Sequence, residues 1–211
     1  MNYTQIVNAS KGYADREDIE VSESMPIFVA MAEARMNRVL KTREQSTRAY
    51  TPTLGSTEFY PLPPDYAGMR DVQVSSSLPS DKTASTFKMS YVSPETFNTD
   101  SPNLNGGQYF YTVIANQIQI YPLIQSGFII EMAYWQKVPP LTLDAGCDTN
   151  WMSTSHPDIY LAGIVAEIES FAKNYQVAGQ WDEKMTRSIN ELKESDIKEN
   201  WSGSQLVMRC E

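Results

Sequence analysis

Hydrophobic periodicity switches twice along this 211-residue chain, and that double switch constrains the fold more than any other feature. Apolar residues recur every three or four positions over roughly 3–41. They alternate at two through about 46–149, then return to helical spacing over 150–197. Nearly all of the 12 prolines and most of the 10 glycines fall in the middle zone, where they punctuate short β-branched and aromatic runs. Helices at both ends with strands between them predict an α+β fold: a helical bundle drawn from both ends of the chain, with an inserted antiparallel β subdomain. A chain of this length allows one core plus an insertion and little more. The expected divisions are 1–45 for N-terminal helices, 46–149 for the β subdomain, 150–197 for long C-terminal helices and 198–211 for an extended tail.

Local signals place the elements. Tyr3, Ile6, Val7 and Tyr13 predict a short first helix that ends in Asp15-Arg16-Glu17-Asp18. A second helix is expected from near Ser24 as N-cap, with Pro26 in its first turn. Its buried face is read from Phe28, Met31/Ala32, Met36 and Val39/Leu40. Strands are expected at 47–53, 57–61, 69–76, 86–92, 108–115, 117–122 and 127–136, with Ala115-Asn116 as a hairpin turn. Segments 80–83 and 100–107 read as exposed loops. Ser155 as N-cap, Pro157 in the first turn and Asp158 reaching back predict a helix over 156–177, about 33 Å long. Gly179 marks the expected break, and Trp181, Met185, Ile189 and Leu192 define a further amphipathic helix. The aperiodic tail carries Trp201, Leu206, Val207, Met208 and Arg209, residues suited to docking on a partner or folding back.

The scarce residues exclude much chemistry. His156 is the single histidine, and Cys147 and Cys210 are the two cysteines, too few for a four-ligand zinc site or a disulfide framework. Free thiols made in a reducing cytosol are the expectation. Met1–Ile6 lacks the pattern of a signal peptide, and no uncharged apolar run approaches about 18 residues, so no membrane span is expected. A net charge of −9 without a Lys/Arg cluster argues against a nucleic-acid clamp.

His156 could be imagined in a triad with Ser153 or Ser155 and Asp158, but helix capping explains these neighbours more simply. No G-x-S-x-G, Walker-type or dinucleotide fingerprint occurs, and Gly106-Gly107 reads as a hinge. Asp15/Glu17/Asp18 and Glu191/Glu194 read as solvated charges, and Asp144/Asp148 lack a calcium-loop pattern. No enzyme, metal or cofactor is therefore expected. Tyr109, Tyr111, Tyr121, Tyr134, Trp135 and Trp151 support an alternative, a carbohydrate-binding β module carried on helices. Burial of these rings against a sheet or partner is the simpler reading.

Several stretches, taken in order, resemble the head–tail adaptor (connector) proteins of tailed bacteriophages. Arg16-Glu17-Asp18-Ile19 precedes Pro26-Ile27-Phe28-Val29-Ala30-Met31-Ala32-Glu33-Ala34-Arg35-Met36-Asn37-Arg38, similar to that family's P-x-F-I-x-x-A-E-x-R-I-x-R helix. Tyr60-Pro61-Leu62-Pro63-Pro64-Asp65-Tyr66 is similar to its LP-x-DY segment, and Tyr91–Glu95 follows. Tyr134–Leu141 is similar to YY-x-x-x-P-x-L. The most specific stretch is Thr149-Asn150-Trp151 followed by Pro157-Asp158-Ile159-Tyr160-Leu161-Ala162-Gly163 and Glu167. His156, Ala162 and the loops 76–86 and 98–107 depart from the pattern.

The resemblance covers about residues 3–209 and implies a non-enzymatic virion protein at the head–tail junction, made in the host bacterial cytoplasm. It implies a homo-oligomeric ring, twelvefold in that family, below the portal protein. Tail proteins (nozzle, completion or fibre) would attach to it, and viral DNA would pass without sequence-specific binding. The matching structural positions are Pro26, Glu33, Arg35, Arg38, Pro63, Asp65, Tyr66, Asn150, Trp151, Pro157, Asp158, Tyr160 and Leu161. The tail residues Trp201, Leu206, Val207, Met208 and Arg209 are the portal-docking candidates.

Overall fold

Asn2 opens the first helix, α1 (Tyr3–Ala14), with a reciprocal cap. The Gln5 N–H donates to Asn2 Oδ1 at 2.9 Å, and the Asn2 N–H donates to Gln5 Oε1 at 3.0 Å. Asp15 ends it in the left-handed region, φ 51°. The computed structural model describes residues 1–77, 85–100 and 108–201. The expected loop at 80–83, residues 101–107 of the loop expected at 100–107, and tail residues 202–211 with Leu206, Val207, Met208 and Arg209 lie outside the described residues.

The second helix, α2 (Ile19–Val39), starts five residues before the expected Ser24 cap, so Pro26 sits inside it. Burial of Val21 and Met25 explains the difference, because the apolar face extends back ahead of the proline. Proline there removes one helical N–H bond, and packing along this longer face outweighs the loss.

The chain divides into two compact units. One holds Met1–Glu44 and the described part of Val138–Glu211; the other is Gln45–Lys137. The second boundary thus falls twelve residues before the expected 149. Val138 and Leu141 are buried in the helical core, which draws the segment after the last strand into the helical unit.

In the helical unit a short helix, α4 (Trp151–Ser155), precedes α5 (Pro157–Phe171) and α6 (Tyr175–Trp201). The cap expected at Ser155 lies one helix earlier: Asn150 caps α4 and Ser155 is its last residue. His156 takes the N-cap position of α5 with no side-chain bond, and Pro157 is in its first turn. The break expected at Gly179 occurs at Lys173, φ 61°, where the Asn174 N–H donates to the Glu169 carbonyl at 2.8 Å. Gly179 lies within α6, which runs on to Trp201, so residues 198–201 continue a helix. Ile6, Met25, Met36, Ile164, Ile168 and Met185 are among its fully buried core residues. Gly163 lets α5 approach closely, since a Cβ there would lie 3.1 Å from both Ala32 Cβ and Met185 Sδ.

Among the described residues the β unit carries seven strands: β1 (Ser46–Pro52), β2 (Phe59–Pro61), β3 (Tyr66–Ser75), β4 (Thr86–Tyr91), β5 (Tyr109–Ile114), β6 (Gln117–Tyr121) and β7 (Ile129–Gln136). They form one sheet in the order β1-β7-β3-β4-β5-β6-β2. Pairing is antiparallel except between β4 and β5, which run parallel with Met89 opposite Tyr109. The exception follows from the connection, which passes through the helix α3 (Pro94–Asp100) instead of a tight hairpin. Val72, Val74, Ile118, Ile130 and Met132 fill the core of this unit. On β7, the buried Glu131 takes Arg48 Nη1 at 2.9 Å and Gln73 Nε2 at 2.6 Å, a cross-strand polar bridge over β1, β7 and β3.

Candidate functional site

Two distant motifs meet first around α2. Glu33 and Asn37, one helical turn apart, face the segment Val138-Pro139-Pro140-Leu141. Prolines have no N–H, so this segment offers just two backbone donors, and α2 takes both. The Val138 N–H donates to Asn37 Oδ1 at 2.7 Å, and the Leu141 N–H donates to Glu33 Oε1 at 2.7 Å. Asn150 completes the clamp. Its Nδ2 donates to the Pro139 carbonyl at 2.7 Å and to Tyr160 Oη at 2.8 Å, while its Oδ1 accepts from the Ser153 N–H at 2.7 Å. The Tyr160 hydroxyl then donates to Glu33 Oε1 at 2.9 Å.

Glu33, Leu141, Asn150, Ser153 and Tyr160 are buried, Tyr160 fully so, while Asn37 is half-buried and Pro139 lies at the surface. Burial raises the Glu33 carboxyl above its ordinary range, partly offset by its Leu141 and Tyr160 donors. Burial and the neighbouring Glu33 push the Tyr160 phenol far up. Such a network is costly if any partner is missing, so it specifies a single packing of α2, α5 and the segment between them.

The second meeting point lies in the β unit. Asp65 Oδ1 accepts from the Tyr134 hydroxyl at 2.9 Å, and the Asp65 carbonyl accepts from the Lys137 N–H at 2.7 Å. The Pro63 carbonyl accepts from the Tyr66 N–H at 3.1 Å, and the Tyr66 and Tyr134 rings lie 6.0 Å apart. Burial and the bond to Asp65 push the Tyr134 phenol up to about 12.

The remaining motif positions are dispersed. Arg35 on α2 pairs with Asp182 and donates to Thr186 Oγ1 at 3.0 Å on α6. Pro26 and Arg38 are exposed on α2, and Leu161 packs at the edge of the helical core. The Trp151 ring meets the His156 ring edge-on at 6.4 Å, and its Nε1 has no hydrogen-bond partner among the described residues. Asp158 and His156 line an acidic groove of about 270 Å³ with Ile159, Glu191, Asp196 and Glu199. Arg43 spans it, its backbone N–H on Asp196 Oδ1 at 2.9 Å and its guanidinium on Glu199 at 2.7 Å. Ser153 commits its hydroxyl proton to the Asn150 carbonyl at 3.0 Å, as a capping residue does. Among the described residues, no cluster of three His, Cys, Asp or Glu is placed to hold a metal, and no helix is long and apolar enough to cross a membrane. Cys147 is an exposed free thiol.

The aromatic platform is not assembled from the six rings that the carbohydrate reading needs. Tyr111 and Tyr134 are buried in the core of the β unit, Trp135 lies beside Arg70 at 5.4 Å, and Trp151 belongs to the helical unit. Asn37 and the Pro139 carbonyl are participants that sequence reasoning missed. Their one signal was the four-residue spacing of Glu33 and Asn37 ahead of a segment with two prolines.

A family model described as SU10 adaptor protein matches residues 1–209. No curated protein matches the chain.

Proposed function

The chain belongs to the SU10 adaptor protein family of phage head–tail adaptors, and from that premise we propose that it forms a homo-oligomeric ring below the portal that joins the capsid vertex to tail components. The match over residues 1–209 carries this reading, because it spans both the helical and the β unit. A structural role also suits the motif residues, which spend their polar groups on one another inside each unit.

In this reading the helical unit makes the ring body and the β unit meets tail proteins. The tail, with Trp201, Leu206, Val207, Met208 and Arg209, docks on the portal. A net charge of −9 would let DNA slide along a channel wall that repels phosphate. No catalytic step is assigned to the chain.

Mass photometry of the full chain mixed with the portal ring of the same phage tests the proposal. A portal peak heavier by a fixed multiple of 23.8 kDa is expected and counts the copies. An unshifted portal peak at micromolar concentrations overturns the portal assignment. Truncation after Trp201 keeps the whole of α6, so unchanged portal binding by that variant would remove Leu206, Val207, Met208 and Arg209 from the docking role.

A further inference from the structure

The face of α2 turned away from the helical core carries a pattern of its own. Glu23, Ile27, Ala30, Met31, Ala34 and Arg38 are all exposed, Ile27 by 60% and Met31 by 46%. Their spacing of three and four residues places them in one stripe, about 22 Å long at 1.5 Å per residue. The stripe is self-complementary about a centre between Ala30 and Met31. Glu23 and Arg38 lie equally far from that centre on opposite sides, as do Ile27 and Ala34.

We propose that this stripe docks a second copy of the same chain, with the two α2 helices crossing antiparallel about a two-fold axis. In that register each Glu23 meets the other copy's Arg38, and each large Ile27 sits against the other copy's small Ala34. A parallel crossing would instead oppose Glu23 to Glu23 and Arg38 to Arg38, so charge selects the antiparallel one. A neighbouring groove of about 350 Å³, lined by Ile27, Phe28, Met31 and Phe171 together with Ser24, Glu167 and Ser170, gives an incoming side chain a place to bury. One helix face supplies less than the roughly 800 Å² per partner of a stable interface, so the pair is weak and forms as concentration rises. An isologous contact closes at two copies, which separates it from the head-to-tail contacts of a ring. The contact therefore stands or falls independently of portal binding.

Sedimentation velocity on the full chain at low salt, over rising concentration, tests it. A 23.8 kDa monomer in equilibrium with a species of twice that mass is expected. Glu23→Arg and Arg38→Glu should each weaken the pair at least about tenfold, because each places like charges opposite one another twice. The double exchange Glu23→Arg with Arg38→Glu should restore it, and Met31→Arg should abolish it. Both charged positions are exposed, and far-UV circular dichroism checks that the variants fold. A chain that stays monomeric to its solubility limit, growth to larger species, or a double exchange no better than the single ones overturns the proposal.

Discussion

The Tyr160 hydroxyl donates to Glu33 Oε1 at 2.9 Å across 127 residues of sequence, and the same oxygen takes the Leu141 N–H at 2.7 Å. One carboxylate oxygen thus ties α2 to α5 and to the segment that leaves the last strand.

Tyr160→Phe removes the hydroxyl with little change of shape. It leaves Asn150 Nδ2 with the Pro139 carbonyl alone and Glu33 Oε1 with the Leu141 N–H alone. Urea denaturation should show a loss of about 1–3 kcal/mol, the cost of buried groups left short of partners. Tyr160→Phe with Asn150→Ala should lose less than the sum of the two single variants, because both act on one network. Full additivity would mean that the network does not act as a unit.

The network also sets a pH dependence. Burial raises the carboxyl of Glu33 in the folded chain, so the folded state favours its protonated form. Its contribution is complete below the ordinary carboxyl pKa of about 4.3 and is lost as pH rises through the raised value. Wild type should therefore lose stability relative to Glu33→Gln as pH climbs from about 4 toward neutrality, and the difference should then level off. Chemical denaturation at a series of pH values reads it directly. A difference that grows with pH would mean that Glu33 is held as a favoured anion, and a flat one that folding leaves its ionisation unchanged.

How much of this was legible from sequence depends on how local the cause is. All seven strands fall within three residues of their expected ends, since a period of two and bounding turn residues are local signals. The start of α2 was not legible, because the first-turn rule for Pro26 was outweighed by burial of Val21 and Met25 against distant residues. Helix α3, with the single buried apolar residue Phe97 in its described side chains, has no periodicity to read. The parallel β4–β5 pair depends on the path of the connection, which spacing does not reveal. Glu33, Asn150 and Tyr160 were each singled out by motif, yet their meeting is a tertiary fact that no window of sequence contains.

Gly163 tests the packing of the helical core. A Cβ there would press on Ala32 Cβ, fixed on α2, and on Met185 Sδ, the movable end of a flexible chain. Gly163→Ala should change stability by less than about 1 kcal/mol, since the helical gain of about 1 kcal/mol offsets the squeeze. Gly163→Leu has no such room and should cost about 3 kcal/mol, the upper range for overpacking. Thermal unfolding of the two variants checks this, and equal midpoints for Leu and wild type would show that the helices can part freely.

Tyr134 gives the β unit an alkaline limit. Its phenol is pushed up to about 12, first by burial and then by the bond it donates to Asp65. A raised folded-state value means that the contribution of Tyr134 is intact below the ordinary phenol pKa of about 10 and drains away as pH rises from there toward 12. Tyr134→Phe removes that term, so its stability should fall less steeply over this interval than that of wild type. Burial also raises Tyr66 and Tyr111 in the same unit, so the slope should lessen without vanishing. Denaturant midpoints from neutral to strongly alkaline pH give the slopes, and tyrosinate absorbance follows the ionisation itself. If the variant and wild type lost stability in parallel, folding would not be holding the Tyr134 phenol protonated.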